Sequence, residues 1–275
     1  MSFSRTATLS LLLGGALAAA SVAEDPQALA LVREDAAALS DTDKEAFLRT
    51  AEIGEMKTVE IGVTEPKQAR LDDGTFQHDA QIQTVDKSWD PNGPFRHFRD
   101  YYQFNIAAYR LASLLGFDRV PVSVERTVRG EDVAVTWWVD DVAMMEVERE
   151  NGGIQPPDPA DFDHQMWQVR IFSQLVHNTD LNPANIVITK DWTLWLVDFT
   201  RAFRVDQQID RAELGRICRR FFQAIRDLDE EVVRAELRPH LTEPEIEVVL
   251  KGRDEIVAYY DEQVASRGEA SVFCH

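Results

Sequence analysis

Three polar residues, Asp180, Asn185 and Asp198, lie within a short stretch of the chain and carry oxygen atoms that suit phosphate chemistry. Transfer of a phosphoryl group from a nucleotide needs one carboxylate to orient the attacking hydroxyl. It also needs an asparagine and an aspartate that hold metal ions against the phosphates. The stretch offers the three side chains in that order. Each alone is an ordinary turn residue, so the hypothesis of a metal–nucleotide site depends on their combination.

The residues between Asn185 and Asp198 predict how two of these side chains meet. Two short apolar runs, rich in β-branched residues, predict the strands of a hairpin. If Asp191 and Trp192 form its tip, the pairing places Asn185 directly opposite Asp198. Opposed Cβ atoms lie roughly 4.5–5.5 Å apart, and Mg²⁺ prefers oxygen ligands. We therefore predict that both residues bind a metal ion and that Asp180, in the preceding loop, reaches the same place.

The net charge of the chain narrows the classes of binding partner. The net charge is −19, whereas binding to nucleic-acid backbones depends on lysine and arginine, so we expect no nucleic-acid partner.

Two cysteines, Cys218 and Cys274, do not make a disulfide framework. We expect Cys218 to be a small core residue on a helix. A bridge between the two stays open, because an oxidising compartment would permit one.

The N-terminus has the pattern of a cleaved signal peptide spanning residues 1–23. Arg5 precedes an apolar run over Ala7–Ala20, and Ser21-Val22-Ala23 has small residues at the positions that signal peptidase reads. An uncleaved membrane anchor is the alternative. No later stretch approaches 18 apolar residues, so we expect no membrane span in the mature chain and a periplasmic or secreted location.

A cluster of glycine and proline at residues 151–159 divides the mature chain into two predicted lobes, 24–150 and 151–275. The first contains predicted helix at 27–51 and 100–115, and predicted strands at 56–63, 68–71, 80–85, 120–128 and 133–139. The second is mostly helical, with helices predicted at 162–176, at 214–228 and after a capping box at Thr242. This order predicts an α+β fold with a ligand between the halves.

Four stretches, 106–111, 120–126, 178–185 and 196–203, resemble the atypical protein kinase-like superfamily. That superfamily includes the phosphatidylinositol 3/4-kinase-like proteins, the HipA-like proteins and the secretory-pathway casein kinases, and the likeness is closer to its bacterial exported members. The resemblance implies a two-lobed protein kinase-like fold. Its small N-lobe is mostly β with one long helix, and its C-lobe is mostly helical with a β-hairpin. It also implies that Asp180 is catalytic and that Asn185 and Asp198 are metal ligands.

The same resemblance implies a binding site for ATP or another nucleotide together with Mg²⁺ or Mn²⁺. Residues 62–74 would form a hairpin over the phosphates, with Gly62 and Thr64 among its contacts. Residues 137–140 would form the hinge between the lobes, with Trp138 and Val139 beside the base.

The chain departs from the kinase pattern at three positions, one of which is Leu181, where an arginine often follows the catalytic aspartate. Kinases place a strand lysine on the phosphates and pair it with a helix glutamate, but the alignment puts Gln83 and Asn105 there. These neutral residues can still hydrogen-bond each other or a phosphate.

Positive charge must then come from elsewhere, and Lys67 and Arg70 are the candidates, with Lys87 as a second choice. Arg201 could cap the site after Asp198 or pair with a carboxylate in the core, and we favour the structural role.

These observations predict an exported, metal-dependent phosphotransferase that acts on a hydroxyl acceptor of unknown class. Two alternatives stay open. Gln83 and Asn105 also fit a pseudokinase that binds a nucleotide or a partner without turnover. A different transfer from the nucleotide, such as transfer of AMP, would use the same metal ligands.

Overall fold

A five-stranded antiparallel sheet dominates the first half of the described chain. The computed structural model describes residues 39–58, 67–88, 99–178 and 181–274, and they belong to one compact unit. The predicted signal peptide at 1–23 lies outside the described residues. The sheet has the order β1-β2-β3-β7-β6 and consists of β1 (Glu52–Thr58), β2 (Lys67–Asp72), β3 (Gln77–Gln83), β6 (Ser123–Val128) and β7 (Glu131–Trp137). A separate short pair, β4 (Asp86–Ser88) and β5 (Arg99–Tyr101), follows the third strand.

Residues with positive φ form the turns of two hairpins in this sheet. Gly74 has a φ of 88° in the turn between β2 and β3, a conformation that glycine adopts without steric cost. Arg129 and Gly130 both have positive φ between β6 and β7, as two-residue hairpin turns require.

Two helices cover the sheet on opposite faces. Helix α1 (Asp41–Thr50) begins at a capping box formed by Ser40, and its Phe47 ring packs edge-to-face on Trp137 of β7. Helix α2 (Gln103–Leu115) ends at Gly116 in the left-handed conformation, as predicted. Its Ile106 packs with Ala134, also on β7. Since neighbouring strand residues alternate between faces, Ala134 and Trp137 define the two sides of the sheet.

The second half contains the predicted hairpin within a three-stranded sheet of order β10-β9-β8. Its strands are β8 (Val142–Met145), β9 (Ile186–Thr189) and β10 (Leu194–Leu196). Strand β8 thus bonds to a strand of the second half although it precedes position 150 in the chain. The lobe boundary at 150/151 stays a prediction.

The helices of the second half are α3 (Glu146–Gly152), α4 (Pro159–Leu175), α5 (Arg219–Arg226), α6 (Glu230–Leu237), α7 (Glu243–Arg267) and α8 (Glu269–Val272). Helix α4 starts at Asp158, whose side chain accepts from the N–H groups of Ala160 and Asp161. The predicted capping box at Thr242 is present and opens α7. Within the described residues, no helix combines the length and the apolar character that a bilayer-crossing segment needs.

The helix predicted over 214–228 is wrong in its first part. The structure has strand β11 (Ile217–Cys218) there, paired in parallel with β12 (Phe273–Cys274), and the helix begins only at Arg219. Cys218 and Cys274 form a disulfide, so Cys218 is a bridge partner rather than a helical core residue. Pairing with the end of the chain overrides the helical periodicity of the sequence.

Candidate functional site

The β9–β10 hairpin is one residue out of the predicted register. Leu196 pairs with Ile186, and the N–H of Val197 donates to the carbonyl of Asn185 at 2.9 Å. The prediction that Asn185 directly faces Asp198 is therefore wrong. The reason lies in the turn, where Trp192 adopts a φ of 66°, as in hairpin loops that end with a left-handed residue.

Asp198 reaches the site through its own backbone conformation. Its φ is 60°, a value that aspartate tolerates better than most residues, so the chain turns sharply after β10. The carboxylate accepts from the hydroxyl of Thr200 at 2.8 Å and from its N–H at 3.2 Å. Asn185 ends a short 3₁₀ turn that begins after Asn182. The structure thus brings Asn185 and Asp198 to the same cavity.

That cavity has a volume of about 210 Å³ and lies between the two sheets. The residues that line it are mostly apolar, and they are Gln81, Pro121, Thr136, Trp137, Trp138, Val139, Val142, Met145, Ala184, Asn185, Val187, Val197 and Asp198. The predicted hinge residues Trp138 and Val139 are therefore in the same cavity as the predicted metal ligands. Asp180, predicted as the catalytic residue, lies outside the described residues.

The donor set in the cavity fits a hard divalent cation. Asn185 and Asp198 offer amide and carboxylate oxygens, and Mg²⁺ typically takes one or two carboxylates and completes its shell with phosphates and waters. Among the described residues, no group of three His, Cys, Asp or Glu side chains could hold an ion. The described part of the site thus fits a cation that is coordinated partly by these protein oxygens and partly by the phosphates of a ligand.

Residues 199–204 are fixed by contacts with the rest of the fold. The N–H of Phe199 donates to the side-chain oxygen of Asn105 at 2.8 Å. The N–H of Phe203 donates to the carbonyl of Val176 at 2.7 Å. Arg201 forms an ion pair with Asp100 at 2.8 Å, and Asp100 is only 5% exposed. This pair confirms the expected structural role of Arg201.

The backbone is strained at both ends of the segment from Asp198 to Phe203. Asp198 and Phe203 both have φ near +60°, and such conformations in residues other than glycine persist only where the surrounding structure holds them. The contacts of Phe199 and Arg201 supply that support. The position of Asp198 at the cavity is therefore determined by packing behind it.

Gln83 and Asn105, predicted to replace the usual ion pair, have separate environments. Gln83 is buried, and its side-chain oxygen accepts from the N–H of Thr84 at 3.1 Å. It pairs with Ala134, which packs on α2, and it does not line the cavity. Asn105 instead supports the Phe199 backbone. On β3, the residue that lines the cavity is Gln81.

The predicted cationic contacts are not brought to the cavity. Lys67 pairs with Ile82, so it points to the sheet face opposite that of Gln81. Arg70 lies on the face of Gln81 but forms an ion pair with Asp79 at 3.0 Å. Neither residue lines the cavity.

The other predicted contacts, Gly62 and Thr64, lie outside the described residues. Sequence reasoning missed Gln81 and Asp100. The period-two alternation of β3 could have suggested Gln81, because it shares a face with Gln83. No local signal pointed to Asp100.

Comparisons with known proteins agree with this architecture. No family model matches the chain, and no curated protein matches it. Solved structures do. The Golgi casein kinase superposes with a TM-score of 0.62 at 14% identity, over 85% of this chain and 78% of its own. Hydra Fam20 with sugar gives a TM-score of 0.63 at 13% identity, over 85% and 91% of the two chains.

The chain has a protein kinase-like fold. The Golgi casein kinase with Mn/ADP bound has a similar TM-score of 0.61, at 13% identity and over 85% of this chain and 78% of its own. The proinflammatory kinase CtkA of Helicobacter pylori gives 0.51 at 11% identity, over 76% of this chain and 92% of its own. In this kinase-like fold, the cavity lies between the five-stranded sheet and the sheet of the second half.

Proposed function

We propose that this chain is a metal-dependent phosphotransferase that moves a phosphoryl group from a nucleotide to a hydroxyl acceptor. One observation carries the proposal. Asn185 and Asp198 line the same cavity as Trp138 and Val139, so oxygen ligands for a cation and a largely apolar surface for a base occupy one space. A kinase-like fold is the setting in which these two features serve phosphoryl transfer.

The nucleotide base occupies the apolar part of the cavity. Val142, Met145 and Val187 line it together with the indole of Trp138, and flat heterocycles bury their faces against such surfaces. Pockets of this kind use a small number of polar groups to fix orientation. Gln81 and Thr136 are the polar side chains that the five-stranded sheet contributes.

Asn185 and Asp198 hold the divalent cation, Mg²⁺ or Mn²⁺. The ion, when bound, supplies charge neutralisation at the phosphates. The chain's own contribution is position, because the hydrogen bonds from Thr200 orient the Asp198 carboxylate. The Mn/ADP found in a structure of the Golgi casein kinase supports this choice of ligands.

Asp180 acts on the acceptor. Its carboxylate accepts a hydrogen bond from the acceptor hydroxyl, and the hydroxyl oxygen attacks the terminal phosphorus. The bond from that phosphorus to the bridging oxygen breaks, a nucleoside diphosphate leaves, and the hydroxyl proton passes to Asp180. A carboxylate in this role contributes on the order of 10²–10⁴ in rate.

The chain acts outside the cytoplasm after cleavage behind Ala23. The Cys218–Cys274 disulfide supports this part of the proposal, because such bridges persist in oxidising compartments. Mass measurement of the protein recovered from the medium or periplasm tests it, since an intact N-terminus would contradict cleavage.

Transfer assays test the role of Asp180. The mature protein is incubated with γ-labelled ATP, MnCl₂ and dephosphorylated casein as a hydroxyl-rich acceptor, and label on casein and on the chain itself is measured. Asp180→Asn should lower transfer at least about 100-fold while ADP binding is kept. Asp191→Asn, in the hairpin turn and outside the cavity, is the matched control. Equal transfer by Asp180→Asn and the wild type would refute the assignment.

A pseudokinase is the second candidate, and a specific observation favours it. Among the described residues, no lysine or arginine lines the cavity. A rise in melting temperature with Mn²⁺ and ADP, without transfer to any acceptor, would support this reading. Intact-mass spectrometry separates a phosphoryl adduct from an AMP adduct by the mass added.

A further inference from the structure

One side chain from each strand of the five-stranded sheet forms a polar row over the cavity. The register pairs Lys57 with Gln68, Gln68 with Gln81, Gln81 with Thr136, and Thr136 with Ser123. Directly paired residues point to the same face of a sheet. Because Gln81 and Thr136 line the cavity, the polar row lies on the face that covers it.

Hydrogen bonds already occupy most of the polar row. The hydroxyls of Ser123 and Thr136 bond each other at 2.8 Å, and the amide of Gln68 donates to Asp79 at 2.9 Å. Within the described part of the chain, the side-chain amide of Gln81 has no such bond. Gln81 therefore presents an available donor and acceptor to the cavity.

Gln81 also lies on the side of the cavity where a cation would bind. It lines a second, much smaller cavity together with Asn105, Phe199 and Asp198. Asp198 lines both spaces. The free amide of Gln81 is thus next to the place where Asp198 would meet a ligand's phosphates.

The described residues that line the cavity contribute negative charge and no positive charge. Asp198 is the only ionisable side chain among the described residues that line the cavity. Lys57 belongs to the polar row but lies two strands, about 10 Å, from Gln81. Of the described residues, a phosphate group entering alone would meet the carboxylate of Asp198 and the neutral amide of Gln81.

We propose that Gln81 is the sheet residue that contacts the nucleotide phosphates, and that this neutral contact makes nucleotide affinity depend on the divalent cation. The inference rests on the proposed function of the cavity. The amide N–H of Gln81 donates to a phosphate oxygen, but it adds no charge against the repulsion from Asp198. Only a cation between Asp198 and the phosphates changes that repulsion into attraction.

Titration of the mature protein with ADP, followed by calorimetry in MnCl₂ or in EDTA, tests the proposal. For the wild type we expect affinity in MnCl₂ at least about 100-fold above that in EDTA, a range typical for charged partners of phosphate. Gln81→Lys should raise the affinity in EDTA at least about tenfold, because hydrogen bonds to charged groups are stronger than neutral ones. A gain of binding cannot result from misfolding.

Two further variants complete the design. Gln223→Lys adds the same charge on the exposed surface of α5 and should leave both affinities unchanged. Gln81→Met keeps the length of the side chain without its donor and should weaken Mn–ADP binding about fivefold.

The outcomes separate this inference from the function proposed above. Equal wild-type affinities in MnCl₂ and EDTA would overturn the inference, and so would a Gln81→Lys affinity in EDTA within twofold of the wild type. In the second case nucleotide binding and the proposed function would stand, whereas in the first case the chain would still bind nucleotide but the cation site of the proposed function would be contradicted as well. Absence of wild-type binding to Mn–ADP would instead overturn the proposed function itself.

Discussion

The segment of residues 197–204, whose first two residues line one wall of the cavity, is anchored by buried contacts. Strands β2 and β3, of which β3 contributes Gln81 to the other wall, keep their charged groups near the surface. Behind the first wall, Asp100 is 5% exposed and pairs with Arg201. On the second, the side chains of Arg70 and Asp79 form an ion pair while 43% and 31% exposed. Buried and exposed pairs of the same chemistry differ in energy, because water screens the exposed one.

This difference indicates separate tasks for the two walls. The first fixes the carboxylate of Asp198, which a cation site requires, since misplacement of a ligand weakens binding. The second provides a neutral, hydrogen-bonding surface through Gln81 and Thr136. The group that we propose as cation ligand thus belongs to the anchored segment, and the wall that we propose beside the ligand's phosphates contributes neutral side chains.

Removing the charge of Asp198 should have the largest effect. Asp198→Asn keeps a residue that tolerates the left-handed backbone, so the fold should be retained. We expect Mn-dependent ADP affinity to fall at least about 100-fold, the upper range for changes around a metal site. Asp191→Asn serves as control and should bind normally. Calorimetric affinity within threefold of the wild type would contradict the role of Asp198.

Two arginine truncations compare the walls directly. Arg201→Ala leaves Asp100 buried without its partner, so the free energy of unfolding should fall by about 2–3 kcal/mol. Arg70→Ala breaks an exposed pair and should lower it by less than about 1 kcal/mol. Urea unfolding followed by circular dichroism measures both. Equal losses of unfolding free energy in the two variants would show that the two ion pairs stabilise the fold to the same extent.

Asn105→Ala tests the link between α2 and the segment that carries Asp198. Phe199 loses the acceptor of its N–H, and an unsatisfied buried donor costs about 1–2 kcal/mol. We also expect weaker Mn–ADP binding, because Phe199 follows Asp198 directly. Gln103→Ala removes a contact with Glu125 at the start of the same helix and should not change that binding. If both variants bind alike, α2 does not position the site.

Acidification should loosen the anchored wall by a smaller amount. Burial holds the pKa of His177 below its ordinary value of 6.5, so the folded state disfavours the imidazolium. The unfolded chain takes up this proton as the pH falls through about 6.5, and stability present above that pH is lost below it. For a single proton the slope is at most about 1.4 kcal/mol per pH unit.

Hydrogen exchange can locate this effect. The Phe203 N–H bonds the carbonyl of Val176, next to His177, and its exchange should accelerate between pH 7 and pH 5 after correction for the intrinsic rate. His177→Gln should remove most of that pH dependence. An unchanged dependence in this variant would assign the effect to another group.

Local sequence chemistry predicted the parts of the fold that depend on near neighbours. The capping box predicted at Thr242 starts a helix, the helix predicted over 100–115 ends at Gly116, and Gly74 and Arg129-Gly130 occupy turns between predicted strands, because caps and turns are set within a few residues. The same local reasoning predicted that Asn185 and Asp198 lie together, and both line one cavity; their role as metal ligands stays a prediction.

Tertiary contacts determined the features of the fold that depend on residues far apart in the chain. The left-handed Trp192 shifted the hairpin register, and packing of Ala134 on α2 placed Gln83 away from the cavity and left Gln81 to line it. Pairing of β11 with β12 replaced a helical turn at Cys218. Alternation along a strand fixes which residues share a face, but the elements packed on that face determine which of them meets a ligand. Such contacts join residues far apart in the chain, and no short window of sequence contains them.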